Sequence, residues 1–321
     1  MTLTLENNTF DWNLSDSVYE LGATLRFWLF LIVDVPSVFC IIFVLYHLLI
    51  EKTLRQALHN HTTIVLLSFG LVYGLIDIPM HLQFFWSGIV RPGTSTLCLF
   101  WWFIDWGFFY NNSVLLTWAS MERHILTFHM GMLGTRRKRL LVHYIPLISI
   151  VIFMMTFYSV AIFGTFCENT FDYTMDLCGL YACYASIPFF LIFEQVIFSV
   201  VCNALTALFC MALVVRVIRQ KYRIHRSVQW RKQRKLCVQM IAKSSLYLIF
   251  SFPLTLIYVV RLSGASNWGN NVLPVFFFLS YYAILLLPFV CLNSLPKLKE
   301  KVKELILRRR GRQVAASKWT L

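Results

Sequence analysis

Charged residues are scarce in this chain. Of its 321 residues only 14% are charged and 58% are hydrophobic, and the mean hydropathy is +0.66. A soluble domain of this size carries about a quarter charged residues, so the composition excludes an ordinary soluble enzyme. A cleavable signal peptide is also missing, because residues 1–26 are polar and acidic where a basic region and then an apolar stretch would be needed. The first apolar helix is therefore expected to direct its own insertion into a membrane.

Long apolar runs take the place of the missing charge. The hydrocarbon core of a membrane is about 30 Å thick and is crossed by about 20 apolar helical residues. Seven runs reach about that length: 27–50, 62–86, 97–121, 140–163, 187–217, 244–260 and 272–292. They are too long and too continuously apolar for the strands of a membrane barrel. We predict an all-α bundle of seven membrane-spanning helices over 27–292, with an extracellular tail (1–26) and a cytoplasmic tail (293–321).

Basic residues concentrate on one side of this predicted bundle. With the amino terminus outside, only Arg26, Arg91 and Arg261 of the 29 Lys and Arg residues lie on the outer side. Membrane proteins keep basic residues on the cytoplasmic side, so we predict a multi-pass protein of the plasma membrane with its amino terminus outside. The net charge of +14 then indicates contact with the lipid bilayer, not with nucleic acid. The outer tail carries glycosylation sequons at Asn7 and Asn13.

The third run carries polar residues at both ends of one helix face. Asp105 and Arg123 are eighteen residues apart, which is five helical turns, so both lie on the same side of the helix and about 27 Å apart along it. Cys98 lies at the start of the run, and Glu122, Arg123 and His124 follow at its end. This helix face would connect an outer cavity with the inner surface.

The third run resembles the third helix of the rhodopsin-like G-protein-coupled receptors, which starts with a cysteine 25 positions before the arginine of an acidic-Arg-Tyr motif. The same spacing separates Cys98 from Arg123 here. The resemblance implies that Glu122, Arg123 and His124 act in coupling to a heterotrimeric G protein, with Glu122 holding Arg123 in the resting state. The family's acidic residue at the start of the sixth helix is absent, so we expect raised basal signalling.

Outside the third run the resemblance is degenerate. The helix-bending prolines of the family are present as Pro79, Pro253 and Pro288, whereas Gly70 stands where the family usually has its sodium-binding aspartate. Kinks are expected at the three prolines. The chain thus looks like a divergent member of the family.

Four of the nine cysteines lie on the predicted outer, oxidising side. The family ties the start of its third helix to the loop between the fourth and fifth helices. The resemblance therefore implies a disulfide between Cys98 and that loop, with Cys178 as the favoured partner and Cys183 as the alternative. Cys167 and the remaining loop cysteine would be free to form a second bridge.

Acidic residues interrupt four of the runs, at Asp34, Asp77, Asp105 and Glu194. A charged side chain at the middle of a membrane costs about 2.5–3.5 kcal/mol, so each acid is a functional hypothesis. All four lie about 10–14 Å below the outer rim. If they face inward, they form a negatively charged pocket for a ligand that carries an ammonium or guanidinium group, such as a cationic amine or a peptide.

Asp105 is the main ligand-binding candidate. It falls seven positions after the cysteine, where amine receptors of the resembled family carry an ammonium-binding aspartate, and Tyr281 falls where they often have a tyrosine that bonds it. Trp102 and Trp106 are candidates for cation–π contacts. The alternative interpretation is that the acids are protonated, or are paired with basic residues such as His81, and only hold helices together. The sequence suggests no metal ion, organic cofactor or catalytic residue.

The cytoplasmic tail has an amphipathic pattern. After Pro296 the apolar positions 298, 302, 305 and 306 share one helical face, which predicts a short amphipathic helix on the inner leaflet.

The main alternative function is an ion channel or a secondary transporter, although the chain has no internal repeat of the kind typical of transporters. A retinal protein is excluded because the last run has no lysine to form a Schiff base.

Overall fold

A computed structural model describes residues 7–128, 135–164, 167–179, 182–223, 227–265, 268–269 and 271–294. Within these ranges all regular secondary structure is helical. The long helical segments are α1 Asn7–Ile50, α2 Leu58–Ser87, α3 Ser95–Phe128, α4 Arg136–Phe163, α5 Pro188–Arg223, α6 Ser227–Leu262 and α7 Leu273–Ser294. Each predicted apolar run falls inside one of these segments to within one residue, which confirms the all-α class. The predicted tail helix after residue 296 lies outside the described residues.

Six of the seven segments are long and apolar enough to cross a membrane: Gly22–Ile50, Leu58–Ser87, Arg136–Phe163, Pro188–Arg216, Cys237–Leu262 and Leu273–Asn293. The protein is therefore a multi-pass membrane protein by length and composition. The helix α3 is 34 residues long but is not among the six. Its apolar character is diluted by Asp105, Asn111 and Asn112, which are at most 3% exposed. The helix packs against α2, α4, α5 and α6, and these neighbours cover its polar positions.

The outer surface of the bundle is apolar. Phe39, Ile32 and Ile249 expose 71%, 65% and 66% of their surface, although they are large hydrophobic residues. Polar side chains lie in the interior instead, as with Ser37 and Ser244, which are completely buried. This inverted distribution is what a lipid solvent favours, because it rewards apolar contact on the outside and leaves polar groups to pair with one another inside.

Three of the helices contain a π-helical segment, in which the helix accommodates an extra residue. The segments are Tyr73–Asp77 in α2, Leu140–Tyr144 in α4 and Phe193–Val201 in α5. Such segments rotate the residues on either side of them relative to each other and are frequent at functional sites. They hold Asp77, His143 and Glu194, so each presents an ionisable side chain to the interior of the bundle.

The three prolines singled out as kink sites lie in different settings. Pro79 lies two residues after the π-helical segment of α2, and Pro288 lies two residues after the turn at Leu286 that separates two pieces of α7. Pro253 lies inside α6, whose helical assignment continues through it. A proline removes one backbone hydrogen bond from the helix interior, and the first two sites adjoin a visible interruption of the regular α-helix.

Two disulfides fix the loop between α4 and α5. Cys98 at the start of α3 pairs with Cys178, which confirms the favoured pairing. Cys183, the alternative partner, pairs with Cys167 within the loop. The first bridge places the short helical turn Asp176–Cys178 against the outer end of α3. The loop thus covers the interior of the bundle at that end.

The close approach of α1 and α2 depends on Gly74. A Cβ atom at this position would lie 2.9 Å from Oδ1 of Asp34 and 2.9 Å from Cγ2 of Val38. Overpacking of this kind costs about 1–3 kcal/mol, and Val38 has few rotamers with which to avoid it. We expect Gly74→Ala to lower the melting temperature of the purified protein. At Gly70 in the same helix a Cβ would meet ordinary contacts at 3.6 and 3.7 Å, so Gly70→Ala should leave the melting temperature unchanged. Equal melting temperatures of the two variants would refute the packing argument.

Candidate functional site

Asp105 lies in a polar cluster near the outer end of α3. It is 3% exposed, and its Oδ1 atom accepts hydrogen bonds from the hydroxyls of Tyr73 at 3.0 Å and Tyr281 at 2.9 Å. The donors come from α2 and α7, so the carboxyl group of Asp105 connects three helices. The contact with Tyr281 agrees with the expectation drawn from the resemblance, whereas Tyr73 was not expected.

Asp77 and His81 lie next to this carboxyl group, one turn apart on α2. The indole of Trp101 donates to Oδ1 of Asp77 at 2.9 Å. On the other side, Nδ1 of His81 lies 2.9 Å from Oδ1 of Asp176, which belongs to the loop that is held by the disulfide of Cys98. The separation between Nε2 of His81 and Oδ2 of Asp77 is 3.7 Å, which is too long for a hydrogen bond. The outer cluster is defined here as Tyr73, Asp77, His81, Trp101, Asp105, Asp176 and Tyr281.

Glu194 belongs to a different group of residues. Its Oε2 atom accepts hydrogen bonds from the hydroxyls of Tyr184 at 2.8 Å and Tyr158 at 3.2 Å, and Gln195 donates to Oε1 at 3.3 Å. Asp34 lies apart on α1, 6% exposed, and its Oδ1 atom has no hydrogen-bond partner. The four acids therefore do not gather around one open pocket. The sequence predicts a common depth for the four acids, but the rotation of each helix decides which neighbour an acid meets.

Two cavities open near the outer cluster. One has a volume of about 190 Å³ and is lined in part by Arg26, His81, Asp176 and Tyr281. The other has a volume of about 610 Å³ and lies beside Glu168, Gln195 and Arg261 among other residues. Tyr281 is the predicted ligand-binding residue that lines the first cavity, and it separates this cavity from the carboxyl group of Asp105.

Trp102 and Trp106 are packed inside the bundle. Trp102 is completely buried, donates its indole N–H to the carbonyl oxygen of Leu177 at 2.6 Å and stacks on Phe171 at 5.3 Å. Trp106 is 3% exposed and stacks on Tyr110 with ring centroids 6.0 Å apart. Trp102 thus attaches the outer loop to α3. Neither tryptophan lines the two cavities described above.

At the inner end of α3 the carboxyl group of Glu122 has two partners on other helices. The hydroxyl of Thr62 on α2 donates to Oε2 at 3.1 Å, and Nδ1 of His143 on α4 bonds Oε1. His143 continues through Nε2 to Nδ1 of His61 at 2.9 Å. The carboxyl group therefore links α2, α3 and α4 through a buried chain of polar groups.

Arg123 is only 6% exposed. Among the described residues its guanidinium group forms no ion pair with a carboxylate, so the expected charged hydrogen bond between Arg123 and Glu122 is not formed in this structure. Adjacent residues on a helix point about 100° apart and do not face each other. The carboxyl group of Glu122 bonds Thr62 and His143, and Glu122 and Arg123 line one small cavity together with Lys243 of α6.

His124 completes the inner motif. Its Nε2 atom lies 2.7 Å from the carbonyl oxygen of Phe209 on α5, so His124 connects α3 with α5. Lys243 donates to the hydroxyl of Thr63 at 2.8 Å and is 7% exposed. Neither this buried lysine nor His143 was singled out from the sequence as a site residue; His143 lies in the predicted run 140–163, and Lys243 directly precedes the run 244–260.

Hydroxyl and amide groups form hydrogen bonds between α3, α5 and α6 in the interior of the bundle. The hydroxyls of Thr117 on α3 and Thr206 on α5 lie 2.9 Å apart. On α6, Thr255 bonds the Ser199 hydroxyl at 2.7 Å and accepts from Asn203 at 2.8 Å. Interhelical bonds of this kind are individually worth about 0.6 kcal/mol in a membrane. Because each bond is weak, the hydrogen bonds between α3, α5 and α6 can be replaced by others at a small cost in free energy.

No protein-family model matches the sequence, and no curated protein is significantly similar to it. The case for a function therefore depends on the two ends of α3 and on the residues that surround them.

Proposed function

We propose that the chain is a receptor with seven membrane-spanning helices that transmits the binding of an extracellular cationic ligand to a heterotrimeric G protein at the plasma membrane. In this proposal α3 crosses the membrane in addition to the six segments named above, which gives seven crossings. The amino terminus is extracellular, and no chemical reaction is catalysed. The observation that carries the proposal is that one buried helix holds Asp105 in the outer cluster and Arg123 at the opposite end, with polar partners on neighbouring helices at both ends.

The positions of disulfides and basic residues support this orientation. Cys98 and Cys178 form a bridge at one end of α3, and disulfides persist on the oxidising side of a membrane. The exposed turn Arg136–Arg139 lies at the start of α4, and basic residues favour the cytoplasmic side. The outer cluster then faces the outside of the cell and Arg123 faces the cytoplasm.

The 190 Å³ cavity is the proposed entry for the ligand. It has the carboxylate of Asp176 in its wall, and the hydroxyl of Tyr281 lies between it and Asp105. A cationic group in this cavity gains from both carboxylates once Tyr281 moves aside. Movement of Tyr281 shifts α7 relative to α3, and the exchangeable contacts of α3, α5 and α6 carry the change inward. The resemblance in the third helix supports Arg123 as the residue that meets the G protein.

Nucleotide exchange on the G protein tests the proposal. The chain is expressed with a promiscuous G protein, and amines and basic peptides are screened for release of GDP and uptake of a labelled GTP analogue. Exchange that depends on both chain and ligand supports the receptor. Currents or solute uptake without nucleotide exchange would replace it with the channel or transporter.

Asp105→Asn should weaken responses to cationic ligands. The substitution removes the negative charge but keeps an oxygen that accepts from Tyr281, so the loss of a buried charge partner is expected to cost about 100-fold in potency, or about 2.7 kcal/mol. Concentration–response curves of nucleotide exchange measure the effect. Asp34→Asn is the matched control, because Asp34 is also a buried acid but lies outside the outer cluster. Unchanged potency for every active ligand in Asp105→Asn would reject Asp105 as the anchor.

A further inference from the structure

The geometry points to a binding site for a divalent transition-metal ion, best matched by zinc, formed by Asp77, His81 and Asp105 in the outer cluster. Each residue offers one ligand atom, and these atoms all lie within 4.8 Å of one another. The three residues are between 0% and 3% exposed. The inference concerns a metal ion on the purified chain and does not depend on the signalling proposal.

The separation of two of the ligand atoms is close to that around a four-coordinate ion. Zinc binds histidine nitrogen and carboxylate oxygen at about 2.0–2.2 Å, and ligands at the corners of a tetrahedron of that size lie about 3.4 Å apart. Nε2 of His81 and Oδ2 of Asp77 are 3.7 Å apart. This separation is too long for a direct hydrogen bond and requires only a small adjustment to bracket an ion.

Two of the ligand atoms have no other partner. Oδ2 of Asp77 and Nε2 of His81 are buried and make no hydrogen bond. A buried polar atom without a hydrogen bond destabilises the folded protein, and an ion between the two atoms would satisfy both. A divalent ion would also balance the charges of Asp77 and Asp105, which otherwise lie close together in an apolar part of the bundle.

The other atoms of the three ligands are already held, as they are in known metal sites. Nδ1 of His81 bonds the carboxylate of Asp176 at 2.9 Å, and a histidine that donates its second N–H to a carboxylate is the usual arrangement for a metal ligand. Trp101 holds Oδ1 of Asp77, and the hydroxyls of Tyr73 and Tyr281 hold Oδ1 of Asp105 at the distances given above. These bonds orient the remaining atoms toward the common centre.

Access and the remaining coordination position come from the outer side. His81, Asp176 and Tyr281 line the 190 Å³ cavity, so an ion enters through it. Three protein ligands leave one position of a tetrahedral zinc ion for water or for a donor atom of a ligand in the cavity. The site would therefore make the occupancy of the cavity dependent on zinc.

Zinc binding to the full chain in lipid nanodiscs tests the site, with a chromophoric chelator as competitor. The wild type should bind one zinc ion per chain at this site. His81→Ala and Asp77→Asn should each weaken that binding at least 100-fold, and Asp176→Asn, which removes only the carboxylate behind His81, should weaken it 10- to 100-fold.

Two matched controls locate the binding. Glu194→Gln changes a buried acid that tyrosine hydroxyls hold elsewhere, and His61→Ala changes a histidine of the inner chain; both should keep the wild-type affinity. Loss of binding in His61→Ala together with wild-type affinity in His81→Ala would overturn the site, as would a wild type that binds no zinc.

Thermal unfolding supplies a readout that does not require the helix variants to fold. An ion that binds only the folded state raises its melting temperature. Zinc should raise the melting temperature of the wild type, and the increase should be smaller in Asp176→Asn, whose altered residue lies in the loop and is 27% exposed. Equal zinc-induced shifts in the wild type and Asp176→Asn would contradict the inference.

Discussion

Arg123→Ala is expected to reduce basal nucleotide exchange at least tenfold, to the level of cells without the chain. Arg123 forms no ion pair with a carboxylate among the described residues, and it lines the small cavity beside α6. In the proposed function this guanidinium group is the contact for the G protein, and its weak restraint is the reason for expecting raised basal signalling. A tenfold loss corresponds to about 1.4 kcal/mol. Exchange is measured in membranes that contain equal amounts of each variant at the cell surface.

The matched control is Arg137→Ala. Arg137 is an exposed residue of the turn Arg136–Arg139, so its removal changes the net charge equally but leaves the end of α3 intact. It should signal like the wild type. Equal activity of Arg123→Ala and the wild type, or an equal loss in both variants, would remove the basis for assigning Arg123 to G protein binding.

Cys98→Ser should destabilise the protein more than removal of the second disulfide does. The bridge between Cys98 and Cys178 closes a loop over a sequence separation of 80 residues, whereas that between Cys167 and Cys183 spans 16. Chain-entropy arguments assign about 4.5 kcal/mol to the first bridge and about 3 kcal/mol to the second. The melting temperature of the purified protein should therefore fall more in Cys98→Ser than in Cys167→Ser.

The double variant Cys98→Ser with Cys178→Ser is the control for this effect. Cys98→Ser and Cys178→Ser each remove the same bridge, so the double variant should melt at about the same temperature as either of these single variants. A further fall in the double variant would mean that the cysteines act through other contacts. Wild-type melting of Cys98→Ser would show that the bridge does not stabilise the fold.

Local properties of the sequence were enough to predict the helices, and the resemblance to a family predicted two contacts. An apolar run of about 20 residues indicates a membrane helix wherever it occurs, and each predicted run lies within a helix. The pairing of Cys98 with Cys178 and the contact of Tyr281 with Asp105 came from the resemblance to a family and agree with the structure. The pair Asp77 and His81 was also visible in principle, because residues four apart share a helix face, but the sequence suggested no metal site.

Other contacts could not be predicted because they depend on how each helix is rotated. Glu122 was expected to hold Arg123, but its carboxyl group bonds Thr62 on α2 and His143 on α4 instead. The π-helical segments add to the difficulty, since an extra residue turns Asp77, His143 and Glu194 away from the direction that a regular α-helix would give them.

The sequence by itself determined an all-helical membrane protein with polar residues at both ends of its third helix, because run length, charge and spacing along one helix are local quantities. The tertiary structure alone decided that Asp77, His81 and Asp105 meet while Glu194 lies among tyrosines, and that Asp176 reaches His81 from the loop. Those contacts join residues far apart in the chain, and only the packing and rotation of the helices bring their side chains within bonding distance.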